Sequence, residues 1–184
     1  MSNARIATNV INPALLPLLS TTATATLALA EYDFLTKLMK ASQTESGKYS
    51  SAVARTISTW WKQSPGLAII ISLALTSLVT GGRTARLMPP SSPRRWTAIA
   101  GTLLAVGHFA FGPKIVAAIQ DMKYGYERAG IWQAEALEAG KTEEEVADER
   151  VLDAQKRWLR LHVWRTMLAD IPALGCFASL VFGS

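Results

Sequence analysis

The hydrophobic residues of this chain are gathered into four runs that polar segments separate. The runs cover about 14–38, 65–82, 96–119 and 161–182. A helix needs about 20 predominantly apolar residues to cross a bilayer, and each run is close to that length. An isolated strand cannot satisfy its backbone hydrogen bonds in lipid, so helices are expected throughout. The pattern therefore predicts an all-α protein, an integral membrane four-helix bundle that forms a single domain over 1–184.

The first run is the weakest, because threonines alternate with alanines in it and it carries Glu31 and Asp33. An alternative interpretation is a secretory signal peptide, with Arg5 in the charged n-region and the Ala-Leu-Ala at 28–30 as the cleavage site. Pro17 would interrupt the apolar core that such a peptide needs. A retained membrane span is the preferred interpretation.

Turn-forming and polar residues mark the ends of the other runs. A proline- and serine-rich stretch at 89–93 makes a short turn between the second and third runs. A polar, acidic loop at 120–160 precedes the fourth run and holds Thr142 and Glu145 at capping-box spacing. An amphipathic surface helix is expected to start there and to lead into the fourth span. Small residues recur four apart in the first and third runs, which predicts close helix approach at Thr22, Thr26, Ala30, Gly101 and Ala105.

Composition and charge agree with a membrane protein. Hydrophobic residues make up 49% of the chain and charged residues only 18%, against about 25% charged residues in a soluble domain. The net charge of +5 comes from short basic clusters beside the apolar runs, which is typical of the ends of membrane spans. The expected partner is therefore the lipid bilayer and not nucleic acid. A single cysteine, Cys176, excludes an intrachain disulfide framework and a zinc site built from cysteines.

Several ionisable residues lie inside the apolar runs, where a charge costs roughly 2.5–3.5 kcal/mol. In a four-span topology, Glu31 and Asp33 lie late in the first span and Lys114 lies late in the third. His162 and Arg165 lie early in the fourth span. The ends of these segments meet at the same face of the bundle. We therefore expect the acids and the bases to gather in that half of it.

His108 and Asp170 lie deeper. His108 precedes Ile119 by eleven residues and Asp170 follows Leu161 by nine, so their depths are about 16 Å and about 14 Å in antiparallel helices. The arithmetic predicts a buried pair, and an imidazole oriented by a carboxylate is a usable general base. A pair that only fixes helix packing is the alternative. The candidate catalytic residues are His108, His162, Arg165 and Asp170, and the candidate substrate-pocket residues are Glu31, Asp33, Lys114 and Trp158.

Common catalytic motifs are missing from the sequence. It contains no G-x-S-x-G, no G-x-G-x-x-G, no P-loop and no H-E-x-x-H, which disfavours hydrolase chemistry and a tightly held nucleotide. Two histidines and one cysteine, without ligand spacing, do not predict a metal site. The sequence therefore identifies no cofactor.

Three features carry a resemblance to a known family. The loop before the second span holds Trp60 and Trp61, the third span contains the stretch HFAFGP at 108–113, and the fourth opens with RWLRLHVWR at 157–165. In these motifs, in size and in layout, the chain resembles the anthrone oxygenase-like family of small integral membrane proteins, which is found in fungal aromatic polyketide pathways. Lys114 and the longer acidic third loop depart from the family's pattern.

The resemblance implies a membrane oxygenase of secondary metabolism in an endomembrane. Its substrate would be an apolar aromatic small molecule, an anthrone, oxidised at its activated methylene carbon to a quinone. Molecular oxygen would be the co-substrate, with no established cofactor. His108 or His162 would take the proton, and Arg165 or Lys114 would stabilise the enolate oxygen. A homo-oligomer or a pathway enzyme is the protein partner to test. The alternatives are a non-catalytic membrane scaffold or assembly subunit and a small transporter.

Overall fold

The computed structural model describes residues 12–41 and 50–183, and the regular structure in those ranges is entirely helical, as predicted. Two 3₁₀ turns, His108–Phe111 and Ala129–Trp132, and one π-helical turn, Thr166–Asp170, connect some of the helices. The α-helices of these ranges are α1 Leu15–Ala41, α2 Ser51–Gln63, α3 Gly66–Leu87, α4 Pro93–Gly107, α5 Gly112–Tyr124, α6 Gln133–Ala139, α7 Glu143–Arg165 and α8 Ile171–Phe182.

Three helical stretches of the described chain are long and apolar enough to cross a membrane, judged by length and composition. They are Ala68–Leu87, Pro93–Tyr124 and Glu143–Phe182, and they contain most of the second run and all of the third and fourth. The first run forms α1 but does not reach the same standard. The threonines and the charged residues of its C-terminal half lower the mean hydropathy of α1.

Helices α1, α3, α4 and α8 pack together at one end of the molecule. Helix α4 lies against both α3 and α8, and α1 lies against the same two helices. Phe177 of α8 is fully buried in this first core. The other buried members of the first core are Ala14, Leu18, Ala85, Ala98 and Leu180.

Small residues allow the close packing around Phe177. A Cβ atom added at Gly101 would lie 2.9 Å from Cβ of Cys176 and 3.1 Å from the Phe177 ring. Gly101 and Ala105 are both buried, as their spacing predicts. Backbones of α4 and α8 can approach here only because position 101 has no side chain.

The prediction for α1 is wrong in its register, because Thr22, Thr26 and Ala30 are exposed. Buried positions of α1 instead include Thr21 and Thr24. Each of their hydroxyls donates to a carbonyl of the preceding turn, Thr21 to Pro17 at 2.7 Å and Thr24 to Ser20 at 2.9 Å. The threonines thereby satisfy their own polar groups, so a helix rich in threonine can pack in an apolar setting.

Helix α2 was not predicted, since the sequence analysis assigned its residues to a loop. Val53, Ala54, Ile57 and Trp61 are buried at helical spacing, and the Ser50 hydroxyl accepts a hydrogen bond from the Ala52 N–H as an N-cap. Helix α2 packs against α5 and α7 and builds a second core. The buried members of this second core include Leu35, Met39, Ile57, Trp61, Met122 and Trp158.

Helix α7 begins where the capping box predicts. The Thr142 hydroxyl accepts from the Glu145 N–H at 3.2 Å, and the Thr142 N–H donates to Glu145 Oε2 at 2.8 Å. The expected amphipathic helix is present, because Val151 and Trp158 are buried against α2 and α5 whereas Glu149 and Asp153 are exposed. The helix also continues through the π-helical turn into α8, so that Glu143–Phe182 forms one helical stretch of 40 residues.

Candidate active site

Two irregular helical turns contact each other between the two cores. The 3₁₀ turn His108–Phe111 separates α4 from α5, and the π-helical turn Thr166–Asp170 separates α7 from α8. Pro113 and Pro172 follow these turns and lack the N–H that would continue a regular helical pattern. Such π-helical turns often lie at functional sites. Here they bring polar side chains into an otherwise apolar interior.

His108 and Asp170 form the buried pair that the depth arithmetic predicts. His108 Nδ1 lies 2.9 Å from Asp170 Oδ1, and both side chains are more than 90% buried. With Nδ1–H donating to the carboxylate, the lone pair of the neutral imidazole is on Nε2. A carboxylate that fixes the tautomer of a histidine in this way orients it as a proton acceptor.

Arg165 lies on the other side of Asp170. Its Nε is 3.4 Å from Asp170 Oδ2, and the side chain is 2% exposed. Arg165 Nη2 is buried without a hydrogen-bond partner in the described part of the chain. A buried donor left unpaired costs about 1–3 kcal/mol, and more when it is charged. Arg165 also lines an apolar cavity, which makes Nη2 a candidate donor to an oxygen atom of a ligand.

Glu31 is the fourth buried ionisable group at this level. The residue is 7% exposed, and its Oε2 has no hydrogen-bond partner among the residues described. Gly66 at the start of α3 makes room for it, because an added Cβ there would lie 3.0 Å from Glu31 Oε1. Glu31 and Arg165 line one cavity, so this acid lies near a base of the fourth span, as expected from the order of the spans.

An apolar cavity of about 200 Å³ opens beside these groups. Glu31, His108 and Arg165 are its polar walls, and its aromatic walls are Trp61, Phe109 and Trp158. An apolar cavity of about 150 Å³ holds a benzene molecule. The cavity therefore has room for one or two fused aromatic rings, with a candidate base and a candidate cation at its edge.

Of the two candidate catalytic residues early in the fourth span, Arg165 lines this cavity and His162 does not. His162 Nε2–H donates to the Ala28 carbonyl at 2.7 Å. Its ring stacks on Trp158 with a centroid distance of 4.4 Å. These contacts join α7 to α1, and they make His162 a packing residue behind the cavity wall.

Asp33 and Lys114 also lie away from the cavity, and their assignment to the pocket is wrong in this structure. Asp33 is exposed and pairs with Lys37 at 2.6 Å. It follows Glu31 by two residues, which is a rotation of about 200° around a helix. Lys114 is exposed just after the 3₁₀ turn, and it lines a separate surface groove.

Helix α2 contributes to the site, although the sequence analysis predicted no helix there. Trp61 Nε1–H donates to Gln155 Oε1 at 3.1 Å, and the Trp61 ring meets Trp158 edge-on at 5.1 Å. Both tryptophans are buried, which closes one wall of the cavity. The spacing of Val53, Ile57 and Trp61 was the signal that would have revealed this helix.

Within 12–41 and 50–183, no three His, Cys, Asp or Glu side chains are grouped so that they could hold a metal ion. Comparison with known proteins gave no match, whether to a family model, a curated protein sequence or a solved structure.

Proposed function

We propose that this protein is a membrane enzyme that binds a flat, weakly acidic aromatic compound and promotes its oxidation by molecular oxygen. The observation that carries the proposal is the His108–Asp170 pair beside Arg165 at the edge of an apolar cavity. An anthrone-type ring system, oxidised to a quinone as the resemblance implies, is the substrate class to test first. The cavity accepts the part of the ring system that reacts, and further rings extend through its open side.

The proposed chemistry begins with proton abstraction. His108 Nε2 takes a proton from the activated methylene carbon, and Asp170 stabilises the imidazolium that forms. The resulting carbanion gives electrons to oxygen, a carbon–oxygen bond forms, and loss of water from the hydroperoxide leaves a second carbonyl. One oxygen molecule is consumed and one water is released for each quinone. His108 first returns its proton to the peroxide oxygen, which gives the hydroperoxide. It then takes the second proton from the same carbon as the O–O bond breaks and passes it to the departing hydroxide, which leaves as water.

Arg165 supports the step that creates negative charge. Deprotonation of the methylene places charge on the carbonyl oxygen of the substrate, as in an enolate. A guanidinium with an unpaired, buried donor is a preorganised partner for that oxygen. The apolar walls strengthen the interaction, because little water competes for the charge.

We propose further that the protein crosses the membrane four times, with α1 as the first span. Large apolar side chains are exposed along the helices of the first core, which is the pattern of a lipid-facing surface. They include Leu16, Leu19 and Leu29 of α1, Ile69, Leu75 and Val79 of α3, Trp96 and Leu103 of α4, and Phe182 of α8. The exposed side chains of α1 continue the surface that α3, α4 and α8 present.

Cysteine labelling in sealed vesicles tests whether α1 crosses the membrane. In a Cys176→Ala background, Pro13→Cys and Gln63→Cys place single thiols before and after α1, and Ser91→Cys marks the turn between α3 and α4. With four crossings, an impermeant maleimide labels positions 13 and 91 from one side and position 63 from the other. Labelling of positions 13 and 63 from the same side would remove α1 from the spans.

Turnover of an anthrone tests the reaction. Membranes containing the protein should form quinone faster than the spontaneous background, and His108→Gln should lower that excess rate about 10²–10⁴-fold. Asp33→Asn is the matched control, because Asp33 is exposed and paired outside the cavity. Equal rates for wild type and His108→Gln would contradict the enzyme proposal and favour the non-catalytic scaffold.

A further inference from the structure

Lys114 is left unexplained by the proposed active site, and it borders a second cavity. A groove of about 330 Å³ runs between α5 and α7 on the surface. Its floor is apolar and is made by Ala117, Ala118 and Leu161, and its rim carries Lys114, Arg157 and Arg160. A soluble anion would contact only the cations of this groove, and a neutral lipid would contact only its apolar floor.

Two of the three cations have no counter-ion in the described part of the chain. Arg157 donates to Asp121 Oδ2 at 2.8 Å, so its charge is largely offset. Lys114 and Arg160 are exposed and form no ion pair with any described residue. The groove therefore carries a net positive charge directly beside apolar surface.

The depth of the groove matches the headgroup region of a bilayer. Pro93 and Phe182 lie at the same end of the molecule, where Arg94 Nη2–H donates to the Leu180 carbonyl. Lys114 is 21 residues beyond Pro93 and Arg160 is 22 residues before Phe182. At 1.5 Å per residue these are about 31 Å and about 33 Å, close to the roughly 30 Å of the hydrocarbon core.

An exposed tryptophan marks the same level. Trp164 is 60% exposed and lies one helical turn from Arg160 toward the first core. Tryptophan concentrates at the boundary between hydrocarbon and headgroups, where the ring is in apolar surroundings and its N–H meets water. Basic residues just outside such a ring lie at the level of lipid phosphates.

We propose that the groove between α5 and α7 binds an anionic phospholipid, with Lys114 and Arg160 on its phosphate and an acyl chain on Ala117, Ala118 and Leu161. The inference rests on the proposed membrane crossing of the long helices and is independent of the reaction. The lipid joins α5 to α7 next to the wall of the active-site cavity. The end of the molecule that contains α2 and α6 accordingly faces the leaflet in which anionic lipids concentrate.

Native mass spectrometry of the full-length protein in detergent tests the site, with phosphatidylglycerol as the probe. Each Lys or Arg near the phosphate contributes about 5-fold to affinity, so Lys114→Gln/Arg160→Gln should bind phosphatidylglycerol about 30-fold more weakly. Arg83→Gln/Arg86→Gln removes the same charge from exposed positions of α3 and should bind as wild type does. Diacylglycerol supplies the tails alone and glycerol phosphate the headgroup alone, and neither should compete.

Three results would overturn the inference: binding by the Lys114/Arg160 double variant within 2-fold of wild type, an equal loss in the Arg83/Arg86 control, or competition by glycerol phosphate, which would indicate a site for soluble anions. Insertion into nanodiscs of pure phosphatidylcholine separates this test from the membrane proposal. Wild-type protein that inserts there without preferring phosphatidylglycerol contradicts the lipid site alone. Protein that fails to insert contradicts the membrane crossing itself.

Discussion

The imidazole of His108 donates a hydrogen bond from Nδ1–H to Oδ1 of Asp170 at 2.9 Å, across 62 residues of sequence. The pair depends on a 3₁₀ turn at one residue and a π-helical turn at the other. Each turn changes the direction in which side chains leave its helix. The same turn that carries Asp170 allows its second oxygen to face Arg165, so one carboxylate orients the candidate base and holds the candidate cation.

The variant Asp170→Asn should show whether these two roles are needed for the reaction or only for folding. An amide in place of the carboxylate no longer stabilises an imidazolium and leaves the buried Arg165 without its counter-charge. We expect quinone formation to fall about 10²-fold or more, while circular dichroism still reports a helical protein. Asp33→Asn, which changes an exposed carboxylate of α1, should leave the rate unchanged. Full activity of Asp170→Asn would mean that the pair only fixes helix packing.

His162 should behave differently, because it packs behind the cavity wall. His162→Ala removes the stack on Trp158 and the hydrogen bond to Ala28, and it should lower the free energy of unfolding by about 2–4 kcal/mol. His162→Phe keeps an aromatic ring at the position and should cost only about 1 kcal/mol for the lost hydrogen bond. Thermal unfolding in detergent measures both effects. Activity per folded molecule should stay near wild type, and a specific loss in His162→Phe would return His162 to the list of candidate bases.

The depth of a residue along the chain could be predicted from sequence, and its direction around the helix could not. Counting residues from the span ends placed His108 beside Asp170, and span order placed Glu31 near Arg165. The same arithmetic placed Asp33 at the depth of Glu31. It could not show that Asp33 lies on the opposite, exposed side of the helix. Lys114 follows His108 by six residues, a rotation of about 240° around a helix, and its side chain is exposed.

Short local patterns in the sequence mark individual helices. The capping box located the start of α7 to the residue. Helix α2 has only 13 residues and forms no long apolar run, although Val53, Ile57 and Trp61 repeat at helical spacing. Two walls of the cavity come from packing partners that are far apart in sequence, Trp61 of α2 and Trp158 of α7.

Adjacent glycines in α3 offer a matched test of the packing around Phe177. An added Cβ at Gly81 would lie 2.5 Å from Thr102 Oγ1 and 2.9 Å from the Phe177 ring, whereas one at Gly82 meets nothing within 4 Å. Gly81→Ala should therefore lower the free energy of unfolding by about 1–3 kcal/mol. Gly82→Ala should raise it by up to about 1 kcal/mol, because alanine favours the helix. In the same detergent, the melting temperatures of the two variants should shift in opposite directions from that of wild type. A shift of both in the same direction would contradict the close approach of α3, α4 and α8.

Tyr126 gives a pH-dependent prediction outside the apolar helices. Its hydroxyl donates to Asp148, and the guanidinium of Arg55 lies 5.4 Å from its ring centre. Burial of the phenol, and then its hydrogen bond to the Asp148 carboxylate, raise the pKa of Tyr126 above its ordinary value. In the unfolded chain the same phenol ionises with a pKa of about 10.

The sign of the effect on stability follows from that difference. Below about pH 10 both states keep the proton, so Tyr126 contributes its full stabilisation. As the pH rises further, the unfolded chain loses the proton first. This ionisation stabilises the unfolded chain at a pH where the folded protein still holds the proton. The free energy of unfolding should therefore fall with pH above about 10, and Tyr126→Phe should show a shallower fall. Tyrosinate absorbance provides the check: just above this pH, folded wild type and folded Tyr126→Phe should absorb equally, whereas in denaturant the wild type should show one additional tyrosinate. A difference already present between the folded proteins would mean that Tyr126 ionises normally and that its contact with Asp148 does not form in solution.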